Sequence, residues 1–156
     1  MAISVHLATP DEAPRIAEMA IALTEEIMER TGVRHFNVNL PATTALCRRL
    51  MTSGSYIALI AAEDDEPLGY AGLCESHALY TEGPFGIIQE FYVVPAARSA
   101  GVGGALLQAA RAHARSKQWK RLELCTPPLP DFQRTLAFYE RNGFEVTGGR
   151  KMKALL

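Results

Sequence analysis

Residues 89–114 read Q-E-F-Y-V-V-P-A-A-R-S-A-G-V-G-G-A-L-L-Q-A-A-R-A-H-A, and this stretch constrains the fold more than any other. An apolar strand runs into Pro95, a basic and Gly-rich turn follows, and a strongly amphipathic helix starts at once. Where strand, glycine turn and helix N-terminus meet, backbone N–H groups converge and the helix dipole favours negative charge. Such a device holds phosphates. On the helix, expected over 101–117, Leu106, Leu107, Ala110 and Ala114 face inward, while Gln108, Arg111 and Arg115 face out. A strand is expected again over 121–126, where Leu122 and Leu124 alternate with Arg121 and Glu123. Strand, helix, strand at this spacing is a crossover, which predicts a parallel pair and a right-handed connection.

The rest of the chain supplies the remaining layers. Ile3, Val5 and Leu7 alternate with polar neighbours as a half-buried strand. Thr9-Pro10-Asp11-Glu12 has capping-box spacing; Pro14 competes with a start at Pro10, and Asp11 as N-cap avoids the conflict. Ile16, Ala20, Leu23 and Ile27 then share a helical face, stopped by Gly32. Pro41 opens a second helix with Leu46 and Leu50 on one face, ending at Ser53-Gly54. Strands over 56–62 and 68–74 flank an acidic hairpin turn, and residues 75–86 are expected to loop over one end of the sheet. A fourth strand is expected over 87–94. After Pro127, Pro128 and Pro130, Asp131 is expected to cap a fourth helix running to Asn142, with Gly143-Phe144 as its stop. Residues 144–147 and 151–155 are expected to close the sheet as a hairpin around Gly148-Gly149.

Composition narrows the class. With 156 residues, 48% of them hydrophobic, the chain suffices for one domain spanning 1–156 with its own core. A net charge of −1 and a pI near 6.4 make no electrostatic case for nucleic acid or a membrane surface. Cys47, Cys74 and Cys125 are odd in number, far apart and without C-x-x-C spacing, so buried reduced thiols are expected and no metal site. The opening M-A-I-S-V-H-L lacks the basic and apolar regions of a secretion signal, and no apolar run approaches the ~20 residues of a membrane span. A soluble, cytoplasmic α+β domain with a mixed sheet is the expectation.

Two familiar phosphate devices fail at defining positions. A dinucleotide fingerprint needs a third glycine where Leu106 stands, and a P-loop needs G-K-[ST] where Ala105 follows Gly104. What remains is Arg98-Ser99-Ala100-Gly101-Val102-Gly103, an R-x-x-G-x-G turn after V-V-P. This pattern resembles the acyl-coenzyme-A-binding motif of the GNAT N-acetyltransferase superfamily. I-x-V-x-x-A-T-x-x-D at the start, P-L-G-Y-A-G-L in the hairpin and A-F-Y-E-R-N-G-F-E-V near the C-terminus resemble three further family segments, in the family's order.

The resemblance implies a three-layer fold with about four helices and a mostly antiparallel sheet of about six to seven strands, splayed between the fourth and fifth. It implies acetyl-CoA as co-substrate. Its pyrophosphate would meet Arg98 and the backbone of Ser99, Ala100, Gly101, Val102, Gly103 and Gly104, and its pantetheine arm the backbone of Phe91, Tyr92 and Val93. Tyr139 matches the family's tyrosine near the coenzyme sulfur and is the acid candidate. An Asn is frequent seven residues earlier in the family; Phe132 stands there, and that contact is not carried over.

The chemistry needs a base, because an alkylamine of pKa ~10.4 is neutral in only about one molecule in a thousand at pH 7. Glu90, a carboxylate inside an apolar strand, is the first choice, since burial would raise its pKa toward neutrality. Gln89 is expected on the opposite face unless a bulge intervenes. His77 and His35 are further candidates on loops that, with Arg34, would flank the acceptor. The Val93 N–H is the expected oxyanion donor. The expected activity is acetyl transfer to a primary amine by direct attack, small-molecule acceptors being favoured over a protein N-terminus or lysine. A non-catalytic acyl-CoA-binding module is the alternative, and a homodimer is left open.

Overall fold

The computed structural model describes residues 2–34 and 37–156. They divide into two compact units, 1–124 and 125–156. The first holds a five-stranded sheet in the order β1 (Ser4–Leu7), β2 (Ile57–Glu63), β3 (Glu66–Ala78), β4 (Gly83–Val93), β5 (Leu122–Leu124). Its helices are α1 (Ala13–Thr31), α2 (Leu40–Ser53) and α3 (Val102–Ser116); α4 (Gln133–Arg141) lies in the second unit. Neighbouring strands are antiparallel except β4 and β5, which are parallel as the crossover predicts.

Alternation along the strands builds two cores. Ala58 and Ile60 of β2, Tyr70 of β3 and Tyr92 of β4 pack with Ala13, Ile16 and Met19 of α1 and Cys47 of α2. The intervening residues meet α3, as where the space beside Gly69 is bounded by Leu106. Cys74 is half-buried and Cys125 exposed, so of the three thiols only Cys47 is buried as expected, and all are free.

Local physics explains the boundaries. The conflict between Pro10 and Pro14 is resolved by a 3-10 turn over Pro10–Glu12, with the Thr9 N–H donating to the Glu12 carboxylate at 3.2 Å. The α-helix then begins at Ala13, which leaves Pro14 in the first turn, where its missing N–H costs nothing. Asn39 caps α2 by accepting the Ala42 N–H at 2.9 Å. The inward face of α2 is centred on Cys47, and Leu46 is 43% exposed, so the expected Leu46/Leu50 face is rotated. Asp64 and Asp65 both take positive φ, 49° and 66°, as a two-residue hairpin of matching twist requires.

Two expectations need correction. Residues 75–86 do not loop over the sheet: β3 runs to Ala78 and β4 starts at Gly83, paired as far as Ala78↔Gly83. The Thr81 hydroxyl pins this turn from 2.8 Å off the carbonyls of both Ala78 and Gly83, its single proton serving one or the other, and the Trp119 indole N–H donates to Glu75 at 2.6 Å. Residues 144–156 form no strand, so the sheet has five strands and not six to seven. Val146, Met152 and Leu155 are exposed. Without a buried face nothing sets a register for them.

In the second unit α4 starts after Phe132 with no side-chain cap, so Asp131 does not take that role. Its end is as expected. The Phe144 N–H donates to the Tyr139 carbonyl at 3.0 Å and the Gly143 N–H to Glu140 at 3.2 Å, the reciprocal bonds of a Schellman stop. The Phe144 ring meets Tyr139 edge-on at 5.6 Å.

Candidate active site

The parallel pairing of β4 with β5 covers Gly86↔Leu122, Ile87↔Glu123 and Ile88↔Leu124, and there it stops. On its other edge β4 stays paired to β3 through Gly69↔Val93. From Gln89 to Val93 one edge of β4 is therefore left without a strand neighbour among the described residues. The Val94 N–H donates to Leu68 at 2.9 Å, which turns Val94 and, by alternation, Tyr92 toward β3. The main-chain groups of Phe91 and Val93 point the other way, to the open edge. The Val93 carbonyl there accepts from Arg98 Nε at 2.9 Å, and its N–H faces the same side.

A β-bulge sits at the start of this open edge. Leu73 pairs with Ile88 and Gly72 with Glu90, so Gln89 is the extra residue on β4. The bulge ends the alternation that would have sent Gln89 to the opposite face. Its side chain interacts with the Cys74 thiol, in the same β3 row as Gly72 and Tyr70. Both Gln89 and Glu90 thus serve one face. Glu90 is half-buried, and its Oε1 accepts from the Tyr56 hydroxyl at 2.5 Å. Burial, then neighbouring Tyr70 and Glu90, push the Tyr56 phenol well above its ordinary range. The Tyr70 phenol is also pushed up, by burial and then by Glu90. Its hydroxyl lies close enough to Tyr56 for each to affect the other's ionisation, yet has no partner at hydrogen-bond geometry among the described residues. Burial raises the Cys47 and Cys74 thiols, and Glu90 adds to both.

Beyond Val93 the chain makes a 3-10 turn over Pro95–Ala97 and then the glycine turn. Ser99 and Gly101 take positive φ, 67° and 89°. Gly101 is the N-cap of α3 and offers no side-chain cap. The first bond of the helix runs from the Ala105 N–H to the Gly101 carbonyl at 3.1 Å, which leaves the N–H groups of Val102, Gly103 and Gly104 ahead of the ladder. Apart from the adjoining residues and the helix's own backbone, no atom of the described residues lies within 4 Å of where a Cβ on Gly101 or Gly104 would stand. Uncapped donors facing open space fit a pyrophosphate. Arg98, by contrast, is engaged: its guanidinium reaches Glu26 at 2.7 and 3.4 Å and lies 5.6 Å over the Tyr92 ring.

The other expected site residues lie on separate elements of the chain. Tyr139 is buried on α4, and burial pushes its phenol well up. His77 is on β3, exposed, 3.7 Å from Glu75. It pairs with Pro84, whereas Glu90 pairs with Gly72, a separation of about 16 Å along the strand. The structure does not bring His77 to Glu90. Arg34 is exposed just past the Gly32 cap, and His35 lies outside the described residues. Sequence reasoning missed Tyr56 as the partner of Glu90, and Glu26 as the partner of Arg98. A signal for the first existed: Gly72, one of two glycines in a buried strand, marks a close approach. Among the described residues no group of three or more His, Cys, Asp or Glu could hold a metal ion, and no helix is long and apolar enough to cross a membrane.

Known proteins match this chain in sequence and in fold. Residues 54–146 match the acetyltransferase (GNAT) domain model. Over 111 residues the chain is 32% identical to the uncharacterized N-acetyltransferase YhfO of Bacillus subtilis (strain 168), covering 71% of this chain and 73% of that one. The fold also matches the aminoglycoside acetyltransferase meta-AAC0020 from an uncultured soil metagenomic sample (TM-score 0.78, 16% identity, 99% and 97% of the two chains). It matches the ribosomal-protein-alanine N-acetyltransferase of Brucella melitensis biovar Abortus 2308 as well (TM-score 0.74, 18% identity, 99% and 100%). Fold and sequence together define an acyltransferase that uses acyl-coenzyme A. The chain belongs to the GNAT family of acetyl-CoA-dependent N-acetyltransferases.

Proposed function

We propose that the chain transfers acetyl from acetyl-CoA to a primary amine by direct attack, with a small-molecule amine as acceptor ahead of a protein amine. The observation that carries this is the position of Glu90, a half-buried carboxylate two residues beyond Ile88, the last residue of β4 paired to β5. Acetyl-CoA supplies the activated acetyl group and a thiol leaving group. The main-chain groups of Phe91 and Val93 line the open edge that would take the pantetheine arm, those of Tyr92 between them being turned toward β3, and the N–H groups of Ser99 through Gly104 would hold the pyrophosphate. Glu90 removes the proton that keeps an alkylamine from attacking, a deficit of ~4–5 kcal/mol at pH 7. The Val93 N–H stabilises negative charge developing on a carbonyl oxygen beside it. The Tyr139 hydroxyl donates a proton to the departing sulfur. Its role rests on the A-F-Y-E-R-N-G-F motif and on a phenol that burial keeps protonated.

Gln89 is the first candidate to orient the acceptor, because the bulge gives it the face of Glu90. One carboxylate suits one ammonium. The names of the two structural neighbours describe their own acceptors, an aminoglycoside and a ribosomal-protein alanine, and identities of 16% and 18% transfer neither. Coenzyme-dependent thiol release should therefore be measured with monoamines, polyamines, an aminoglycoside, and peptides bearing a free N-terminal alanine or a lysine. Glu90→Gln should lower kcat/KM on the preferred amine by ~10²–10⁴-fold. Thiol release with none of them, alongside an acetyl-CoA-dependent rise in Tm, would replace transfer by a coenzyme-binding role.

A further inference from the structure

We infer that Tyr56 is a positioning residue that anchors the Glu90 carboxylate, and that position 72 is glycine so that Tyr56 can reach it. The inference rests on reading Glu90 as the base. The Tyr56 hydroxyl donates to Glu90 Oε1 at 2.5 Å across 34 residues of sequence. It does so through the space over Gly72: a Cβ there would lie 1.9 Å from the Tyr56 oxygen and 2.8 Å from Glu90 Oε1. Gly72 does not have positive φ, so room and not backbone conformation is what the glycine provides.

The arrangement answers a physical problem. A glutamate on a half-buried strand has three side-chain torsions, and an ionised carboxylate among apolar neighbours is costly without a donor. Tyr56 is a rigid ring with only two torsions, packed against the α1–α2 core. Its phenol, pushed well up, remains a donor at every working pH. A hydrogen bond to a carboxylate favours its charged form, against the effect of burial. The Glu90 carboxylate is thereby fixed in place, with a donor for the form that accepts a proton. Tyr70 provides the internal control, because its buried hydroxyl is close by and yet makes no hydrogen bond of ordinary geometry among the described residues.

The test is a carbon-13 NMR titration of the Glu90 side-chain carboxyl in the coenzyme-free protein, assigned by its loss in Glu90→Gln. In Tyr56→Phe the midpoint should rise by about one pH unit or more, the size of a lost hydrogen bond to a charged group. Gly72→Ala, which displaces the hydroxyl, should move it the same way. Tyr70→Phe should move it much less. The acidic limb of kcat/KM in Tyr56→Phe should follow the NMR midpoint, with KM for acetyl-CoA unchanged. An unmoved midpoint in folded Tyr56→Phe overturns the anchor, and so does an equal shift in Tyr70→Phe. If Gly72→Ala does not fold, Tyr56→Phe still decides. Wild-type turnover in Glu90→Gln would instead sink the base, and the titration would still judge the anchor.

Discussion

Arg98 and Glu26 lock the glycine turn to α1: the guanidinium meets the carboxylate at 2.7 and 3.4 Å while its Nε holds the Val93 carbonyl at 2.9 Å. The arginine of the R-x-x-G-x-G motif is thus engaged in shaping the loop, which on the function proposed above leaves phosphate recognition to backbone N–H groups. Glu26→Gln should raise the Kd of coenzyme A about three- to tenfold, by loosening the turn and not by removing a ligand contact. Arg98 is 36% exposed and the pair is screened, so the loss should shrink as salt is raised. Isothermal titration at two ionic strengths reads both effects. An affinity that improves in Glu26→Gln would mean the guanidinium is held back from the phosphates.

Gly104 separates a cradle from a mere tight connection. It is helical, with open space where an added methyl would stand, so Gly104→Ala should stabilise the apo protein by ~0.5–1 kcal/mol. The same methyl would face the proposed pyrophosphate, so the acetyl-CoA-dependent rise in Tm should shrink. Gly101→Ala should destabilise by ~1–2 kcal/mol even before ligand is added, because φ is +89° there. A Gly104→Ala protein that binds acetyl-CoA normally would argue that the glycines serve only the turn.

Tyr139→Phe should lower turnover by up to about 10²-fold, the low end for proton transfer to a good leaving group, while Kd for acetyl-CoA holds. Burial keeps this phenol protonated well above its ordinary range, so no basic limb from Tyr139 should appear in kcat between pH 6 and 10. Turnover unchanged by the substitution would leave Tyr139 as a core residue of α4, where it already packs on Phe138 and Phe144.

His113 should make the fold sensitive to acid. Its Nε2 is buried without a partner among the described residues, and its ring meets Trp119 edge-on at 5.5 Å. Burial first, then Lys117, lowers its pKa below the ordinary histidine value. The unfolded chain then takes up the proton at a higher pH than the folded one, and stability falls as pH drops through and below about 6.5. In His113→Phe the fall in Tm between pH 7 and 5.5 should be shallower. An identical pH dependence would show that His113 stays neutral or finds a partner.

Much of this protein is legible in local pattern. The Gly101 turn, the α3 stripe of Leu106, Leu107, Ala110 and Ala114, and the Gly143-Phe144 stop are each short-range, so the residues that decide them sit within a few positions of one another. The two longest departures from that pattern share one cause. Residues 75–86 carry Gly and Pro signals yet pair as strand on both sides of a short turn over 79–82, and residues 151–155 carry an apolar alternation yet do not pair. Pairing depends on what lies across: Trp119 and Thr81 stabilise the first, and among the described residues no strand pairs with the second. The bulge at Gln89 is likewise invisible in sequence, because it is a mismatch between two strands.

Family and coenzyme can be read from the order of residues, and so can a glycine turn ahead of an uncapped helix, which needs no distant partner. How the ionisable groups are used depends instead on the folded chain. Folding ties Arg98 to Glu26 across 72 residues, brings Tyr56 through the gap over Gly72 to Glu90, and gives Gln89 the same face as that carboxylate. A charged side chain's chemistry depends on which donors and acceptors surround it in space, and in this chain those partners come from other elements of the fold.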